Sequence, residues 1–257
     1  MKQKHLLLAI SVLATLLGTS ITAHAQKEIT FLAPGPMRRP LDMIIANFQA
    51  KTNYKVKVTY GTGLSTRQSV AKGEPLDVTL MVAPFPGAMA SPSIISGSKT
   101  LVTSFLMAVA VPKNAPKPDI SNAAAVKKAF LSAKSIGFVD PDFGSAGQGA
   151  TEAIDKLSIG DQIITKSKVP NGGGPVQKGL SDGSLDIGML YLSDLMPNKD
   201  IQIIGVLPRA VCLPTAVYGV ISAKATDPEG AKAFLQYLTT PEAQAIFKEA
   251  GFQPKGS

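Results

Sequence analysis

Residues 54–60, YKVKVTY, alternate polar and apolar with a period of two, the pattern of a half-buried strand. EITFLA (28–33) and LDVTLMVA (76–83) are mostly apolar and short, as buried strands are. Between them the period lengthens. Residues 41–50 set Met43, Ile44, Ile45 and Phe48 on one side of a helix, and a second helix is expected over 65–72, after the turn GTG. Strand-loop-helix in repeated order predicts a parallel α/β sheet.

FLMAVAVPKNAPKPDI (105–120) interrupts that order with a long apolar strand and a proline-rich exit, which predicts a crossover to a second lobe. The alternation then resumes. Helix 122–133 carries Val126, Phe130 and Leu131. Strand 135–139, helix 147–157 and strand 163–169 follow, then a glycine loop opening another helix, then strands 185–191 and 201–206. The chain is expected to cross back near Cys212. A strand over 215–222 and helices over 227–238 and 241–250 rejoin the first unit. Asp227-Pro228 and Thr240-Pro241 are helix starts, each a capping side chain followed by proline at the first helical position. The predicted organisation is residues 26–106 and 213–257 in one lobe and 107–212 in the other.

The first 25 residues stand apart. Lys2 and Lys4 precede an apolar run, Leu6–Leu17, and AHA ends at Ala25. This is the pattern of a secretory signal peptide cut between Ala25 and Gln26. The run is too short to span a bilayer comfortably, and no cysteine lies near the cut to carry a lipid. An exported, periplasmic chain without a membrane span is expected.

Losing that segment changes the available chemistry. His5 and His24, the two histidines of the sequence, both lie in it. A Ser-His-Asp triad, a Cys-His pair and a histidine-bound metal are therefore excluded from the remainder. Cys212 is the one cysteine, so there is no internal disulfide and no thiolate metal cluster; it reads as a small buried hydrophobe near the crossing. Binding, with no metal or cofactor, is expected ahead of catalysis. The formal charge of +8 falls to +6 without Lys2 and Lys4. The basic residues are scattered and form no basic-aromatic stripe, which argues against nucleic acid. A mild positive field suits a small anion.

Four segments have one design: APGPMRR (33–39), YGTGLST (60–66), DFGSAGQG (142–149) and NGGGPV (171–176). In each a strand ends, small residues turn the chain, and a helix begins. In parallel α/β units such loops share the carboxyl edge of the sheet, where ligands bind. Free N–H groups and the dipole make helix starts good anion sites, each contributing about 0.3–1 kcal/mol when exposed. GSAGQG lacks the Gly-Lys-Ser/Thr end of a phosphate loop and has the wrong spacing for a dinucleotide. The donors expected are Gly61, Thr62, Ser145, Gly147, Gly173 and Gly174, with Met37 and Arg38 in the first loop. Tyr191, at the end of a strand, either belongs to the core or points its hydroxyl into the cleft.

These segments, with GSLDIGMLYLSDL and DPEGAKAFLQYLTTPEAQAIFKEAGFQP, run in the order found in the periplasmic binding proteins of ABC importers, and the chain resembles their molybdate-binding-protein-like group. The resemblance covers nearly all of the chain after residue 25. It implies an α/β fold of the type II periplasmic binding protein, two Rossmann-like lobes joined by a two-strand hinge. It also implies a monomer that closes on a small anion and delivers it to a membrane permease. The first loop departs from the Ala-Ser-Leu type of true molybdate binders, because Pro36-Met37-Arg38 stands there. The second loop, GTG, is one residue short of their Gly-Ser-Ser-Gly type. Arg38 points instead to a carboxylate-bearing organic ligand. Some relatives resembling this group are isomerases of unsaturated tricarboxylates such as aconitate. If this chain is one, Asp140, Tyr191 and Cys212 are the candidate bases.

Overall fold

The structure is a computed structural model that describes residues 26–85 and 92–256. The expected signal peptide lies outside the described residues. Strand β1 (Lys27–Pro34) pairs in parallel with β2 (Tyr54–Gly61) over its whole length, from Lys27 opposite Tyr54 to Pro34 opposite Gly61. β3 (Val78–Val82) lies parallel on the other side of β1. Helix α1 (Arg38–Lys51) connects the first pair, entered through a 3-10 turn at Gly35–Met37. Helix α2 (Gly63–Lys72) leads from β2 toward β3. β4 (Thr100–Phe105), β10 (Thr215–Ile221) and β11 (Phe252–Pro254) complete a six-stranded sheet in the order β11-β4-β10-β3-β1-β2. Helices α8 (Pro228–Tyr237) and α9 (Pro241–Glu249) belong to this half, and Asp227 and Thr240 cap them as their prolines predict.

The second sheet has five strands, in the order β7-β6-β8-β5-β9. They are β5 (Met107–Pro112), β6 (Ile136–Phe138), β7 (Ser167–Lys168), β8 (Ile187–Tyr191) and β9 (Ile201–Val206). Helices α3 (Ala123–Ser132), α4 (Ser145–Leu157), α5 (Gly160–Ile163), α6 (Gly173–Ser181) and α7 (Leu192–Leu195) accompany it.

Four sequence expectations need correction. The apolar stretch from 105 is not one strand: β4 ends at Phe105, β5 starts at Met107, and the two lie in different sheets. The strand expected at 163–169 is mostly α5 and a 3-10 turn, with only Ser167 and Lys168 pairing to β6. Its β-branched composition suits a strand, yet little of it reaches the sheet. The return crossing, 207–214, is a turn in which Pro208 accepts from the amides of Val211 and Cys212. Met43 and Leu131, placed on apolar faces by periodicity, are both exposed.

Aromatic contacts tie the elements together. Phe31 and Phe48 meet Phe234 at ring separations of 5.0 and 5.1 Å, fastening α8 and α1 to the first sheet. Phe105, the last residue of β4, stacks on Tyr191, the last residue of β8, at 4.2 Å and 15°. That stack joins the two sheets.

Candidate functional site

The register of β1 and β2 brings their loops side by side. A Cβ on Gly35 would lie 3.4 Å from the carbonyl oxygen of Gly61. Past that point α2 begins, and a Cβ on Gly63 would stand 3.0 Å from Ser145 Oγ, at the start of α4 in the other half. Beside Ser145 comes Tyr191. The loop that opens α6 lies over the preceding residue, with a Cβ on Gly173 meeting the Leu190 side chain at 3.5 Å. The starts of α1, α2 and α4 thus lie next to one another, while that of α6 lies against Leu190.

Tyr191 is only 1% exposed, and its hydroxyl makes no hydrogen bond among the described residues. Burial pushes its pKa up to about 12. The hydroxyls of Ser145 and Thr215 pull the other way, without reaching hydrogen-bond geometry, and burial wins. A neutral phenol with an unused O–H is a donor held ready in a dry place. Of the two alternatives left open by sequence, the core placement is the one seen: Tyr191 is buried and is not among the residues that line the cleft between α1 and α6.

Arg67, on α2, also faces this region. Its Nε donates to Gly63 O at 3.1 Å, one terminal nitrogen to Pro84 O, and the other to Gln148 Oε1 of α4 at 3.4 Å. Burial lowers its pKa, and Tyr191 acts on it electrostatically.

A cleft of about 860 Å³ opens between α1 on one side and α6 and α7 on the other. Arg38, Arg39, Lys199, Gln177, Ser193 and Asp194 are among its lining residues. The guanidinium of Arg38 lies 4.1 Å over the Tyr60 ring. Tyr60 is fixed in turn by its hydroxyl, which donates to Asp42 Oδ1 at 2.5 Å. Asp194, in the first turn of α7, has its pKa raised by burial to about 7. Neither a salt bridge nor a side-chain hydrogen bond engages it among the described residues.

The predicted residues divide by what their side chains do. Met37 is fully buried in the core, so only its backbone faces the loop. Thr62 accepts from Ser65 N at 2.9 Å and thereby caps α2. Gly147 presses on its own loop: a Cβ there would fall 2.3 Å from Val139 O. The adjoining Gly172 has φ of +154°, which requires glycine, whereas a Cβ on Gly174 would meet nothing. Asp140 accepts from Asp142 N at 2.9 Å in a turn. Cys212 is buried, and burial raises its thiol to about 11. Sequence reasoning passed over Arg67 and Asp194. Arg38 stands at the junction itself, as the first residue of α1, whereas Arg67 lies one turn inside α2, so the junction criterion did not reach it. Among the described residues no group of three His, Cys, Asp or Glu could hold a metal, and no helix is long and apolar enough to cross a membrane.

Two α/β halves, each with its own sheet and crossed twice by the chain, define a two-lobed fold of the type II periplasmic class. Residues 29–253 match the bacterial extracellular solute-binding protein family, and the chain belongs to it. An aconitate isomerase from a Pseudomonas species is 26% identical over 255 residues, covering 96% of this chain and 95% of its own. The molybdate-binding protein ModA of Haemophilus influenzae is 26% identical over 258 residues, covering 96% and 98%. Among solved structures, the Azotobacter vinelandii periplasmic molybdate-binding protein superposes with a TM-score of 0.69 at 18% identity, over 87% of this chain and 98% of its own.

Proposed function

We propose that the protein is exported to the periplasm and captures a small organic anion in the inter-lobe cleft, as the monomeric binding component of an ABC importer. The observation that carries this reading is the buried, unpartnered Tyr191 hydroxyl at the meeting of the helix starts. A neutral donor there, with only the Ser145 and Thr215 hydroxyls near it, is available to an arriving acceptor. The molybdate-binding relatives favour an anion. The cations Arg38, Arg39 and Lys199 around the 860 Å³ cleft, which Tyr191 does not itself line, support a carboxylate-bearing molecule over a tetrahedral oxyanion, since pockets of about 300–1,000 Å³ hold organic ligands. Calorimetry on residues 26–257 tests this with molybdate, sulfate, and di- and tricarboxylates. Carboxylates are expected to bind at least 10-fold more tightly than either oxyanion. Tyr191→Phe should weaken the hits roughly 3- to 10-fold, the value of one neutral hydrogen bond. Tight molybdate binding with silent carboxylates would refute the organic-ligand reading.

A second reading rests on Asp194. A catalyst that moves a proton needs a group that is half-ionised near neutral pH, in contact with the ligand. Asp194 lines the cleft and meets the first condition. Arg38, Arg39, Asp42, Lys199 and Glu249 face the same space, yet burial is the cause of its shift. Cys212 and Tyr191 would stay protonated at that pH, and Asp140 is engaged in its turn. With aconitate, Asp194 would take a proton from the methylene carbon next to a carboxylate. The electron pair would delocalise into the double bond, and the proton would return at the far allylic carbon, with no net oxidation. The similarity to an aconitate isomerase supports this reading. An NMR assay of cis- to trans-aconitate conversion is expected to show a rate rising with pH through about 7. Asp194→Asn should lower that rate at least 100-fold. Binding without turnover at any pH would leave the carrier alone.

A further inference from the structure

Arg67 is a half-buried cation with no anion paired to it among the described residues. Its three hydrogen-bond acceptors are two backbone carbonyls and an amide, all neutral. It makes no salt bridge with any described residue. A guanidinium has five N–H donors, so these bonds leave one free on each terminal nitrogen. The bond to Gln148 spans 81 residues of sequence and the two halves of the molecule, and at 3.4 Å it is long. A partly desolvated charge held only by neutral groups is costly unless a counter-charge is bound in working conditions. Close by is the Tyr191 hydroxyl, buried and unpartnered, on which Arg67 acts electrostatically. Arg38, by contrast, is exposed, and its guanidinium is already stacked on Tyr60.

We propose that Arg67, rather than Arg38, is the residue that pairs with the ligand's anionic group, holding it against Tyr191 and Ser145 where α2 meets α4. This rests on the reading of the space between the lobes as an anion site; Arg67, Ser145 and Tyr191 do not themselves line the 860 Å³ cleft, where Arg38 and Arg39 stand. In this arrangement Arg38 and Arg39 act farther out and read a second anionic group, so they select longer ligands without being needed for shorter ones. Gln148 covers Arg67 until the ligand enters.

The test compares wild-type residues 26–257 with Arg67→Gln, Arg67→Lys and Arg38→Gln/Arg39→Gln, by calorimetry with acetate, succinate, tricarballylate and trans-aconitate. Arg67→Gln is expected to weaken every anion bound by wild type at least 30-fold. Arg67→Lys should recover part of that loss, because charge remains and the fork is lost. Arg38→Gln/Arg39→Gln should weaken the tricarboxylates at least 5-fold and leave the shortest bound anion within 2-fold. Melting curves establish that each variant is folded, and Arg67→Lys carries the test if Arg67→Gln is not. If wild type binds and the Arg67 variants bind equally well, the assignment of Arg67 is wrong while the anion site stands. If the paired Arg38/Arg39 variant loses all anions and Arg67→Gln none, the roles are reversed. If wild type binds no member of the panel, the anion reading fails and this assignment falls with it.

Discussion

Asp77→Asn is expected to destabilise the protein by about 3–5 kcal/mol, the sum of two or more buried donors losing a charged acceptor at roughly 1–3 kcal/mol each. Asp77 is 1% exposed and stands just before β3. One carboxylate oxygen accepts from Thr30 N and Thr30 Oγ1, both at 2.7 Å. The other accepts from Thr226 N at 2.6 Å and Thr226 Oγ1 at 3.0 Å. It thus pins β1 to the segment between β10 and α8, which lies about 150 residues further on. Asparagine keeps one acceptor and turns an N–H₂ toward two donors. The pH dependence follows from the same bonds. Burial raises the Asp77 pKa, but the four hydrogen bonds outweigh it, and the folded value lies below the unfolded one. Its contribution is therefore full above the ordinary carboxylate range and is lost as pH falls through the folded value. Thermal melts at pH 7 should place Asp77→Asn roughly 10 °C below wild type, and the gap should narrow under strong acid. A gap of under 2 °C at pH 7 would show that Asp77 does not pin these segments.

Gly147→Ala is expected to cost about 1–3 kcal/mol by overpacking and to reduce ligand affinity by more than its effect on melting would suggest. The added Cβ would fall 2.3 Å from Val139 O and 2.7 Å from both C and O of Asp140, all of them backbone atoms that cannot rotate away. Helix α4 would have to move off its loop and carry Ser145 and Gln148 with it. Gly144→Ala is the control: its backbone is extended at φ −161°, and a Cβ there meets only the Val139 side chain, at 3.4 Å. Melting and calorimetry on both variants decide the matter. Equal behaviour of the two would mean that close packing at 147 does not set the position of α4.

Gly147 also shows what kind of information the sequence carries. Clustered glycines announced close backbone approach at 144–149, and close approach occurs there. What approaches Gly147 is its own preceding loop, and that a pattern of residue types cannot reveal. Periodicity placed β1, β2, β3 and the two proline-started helices, because each is decided by neighbours in sequence. It passed over β4, whose segment TLVTSF mixes polar and apolar residues and is held by β10 and β11 from the far end of the chain. Asp194 in LSDL reads as an ordinary acid near a helix start; its partial burial is a property of what packs over it. Arg67 looks like any arginine on a helix, and its place follows only from Gly63, Pro84 and Gln148 converging on it.

The strand order has a bearing on how the molecule is made. β10 lies between β3 and β4, and β11 lies at the edge beyond β4, so the six-stranded sheet needs residues up to Pro254. The five-stranded sheet is finished by Val206. A nascent polypeptide emerging amino end first can thus assemble its middle portion while its opening strands still wait for their partners. The β4 edges must stay unpaired until β10 and β11 are delivered, which makes that interval the one in which a chaperone would have something to hold.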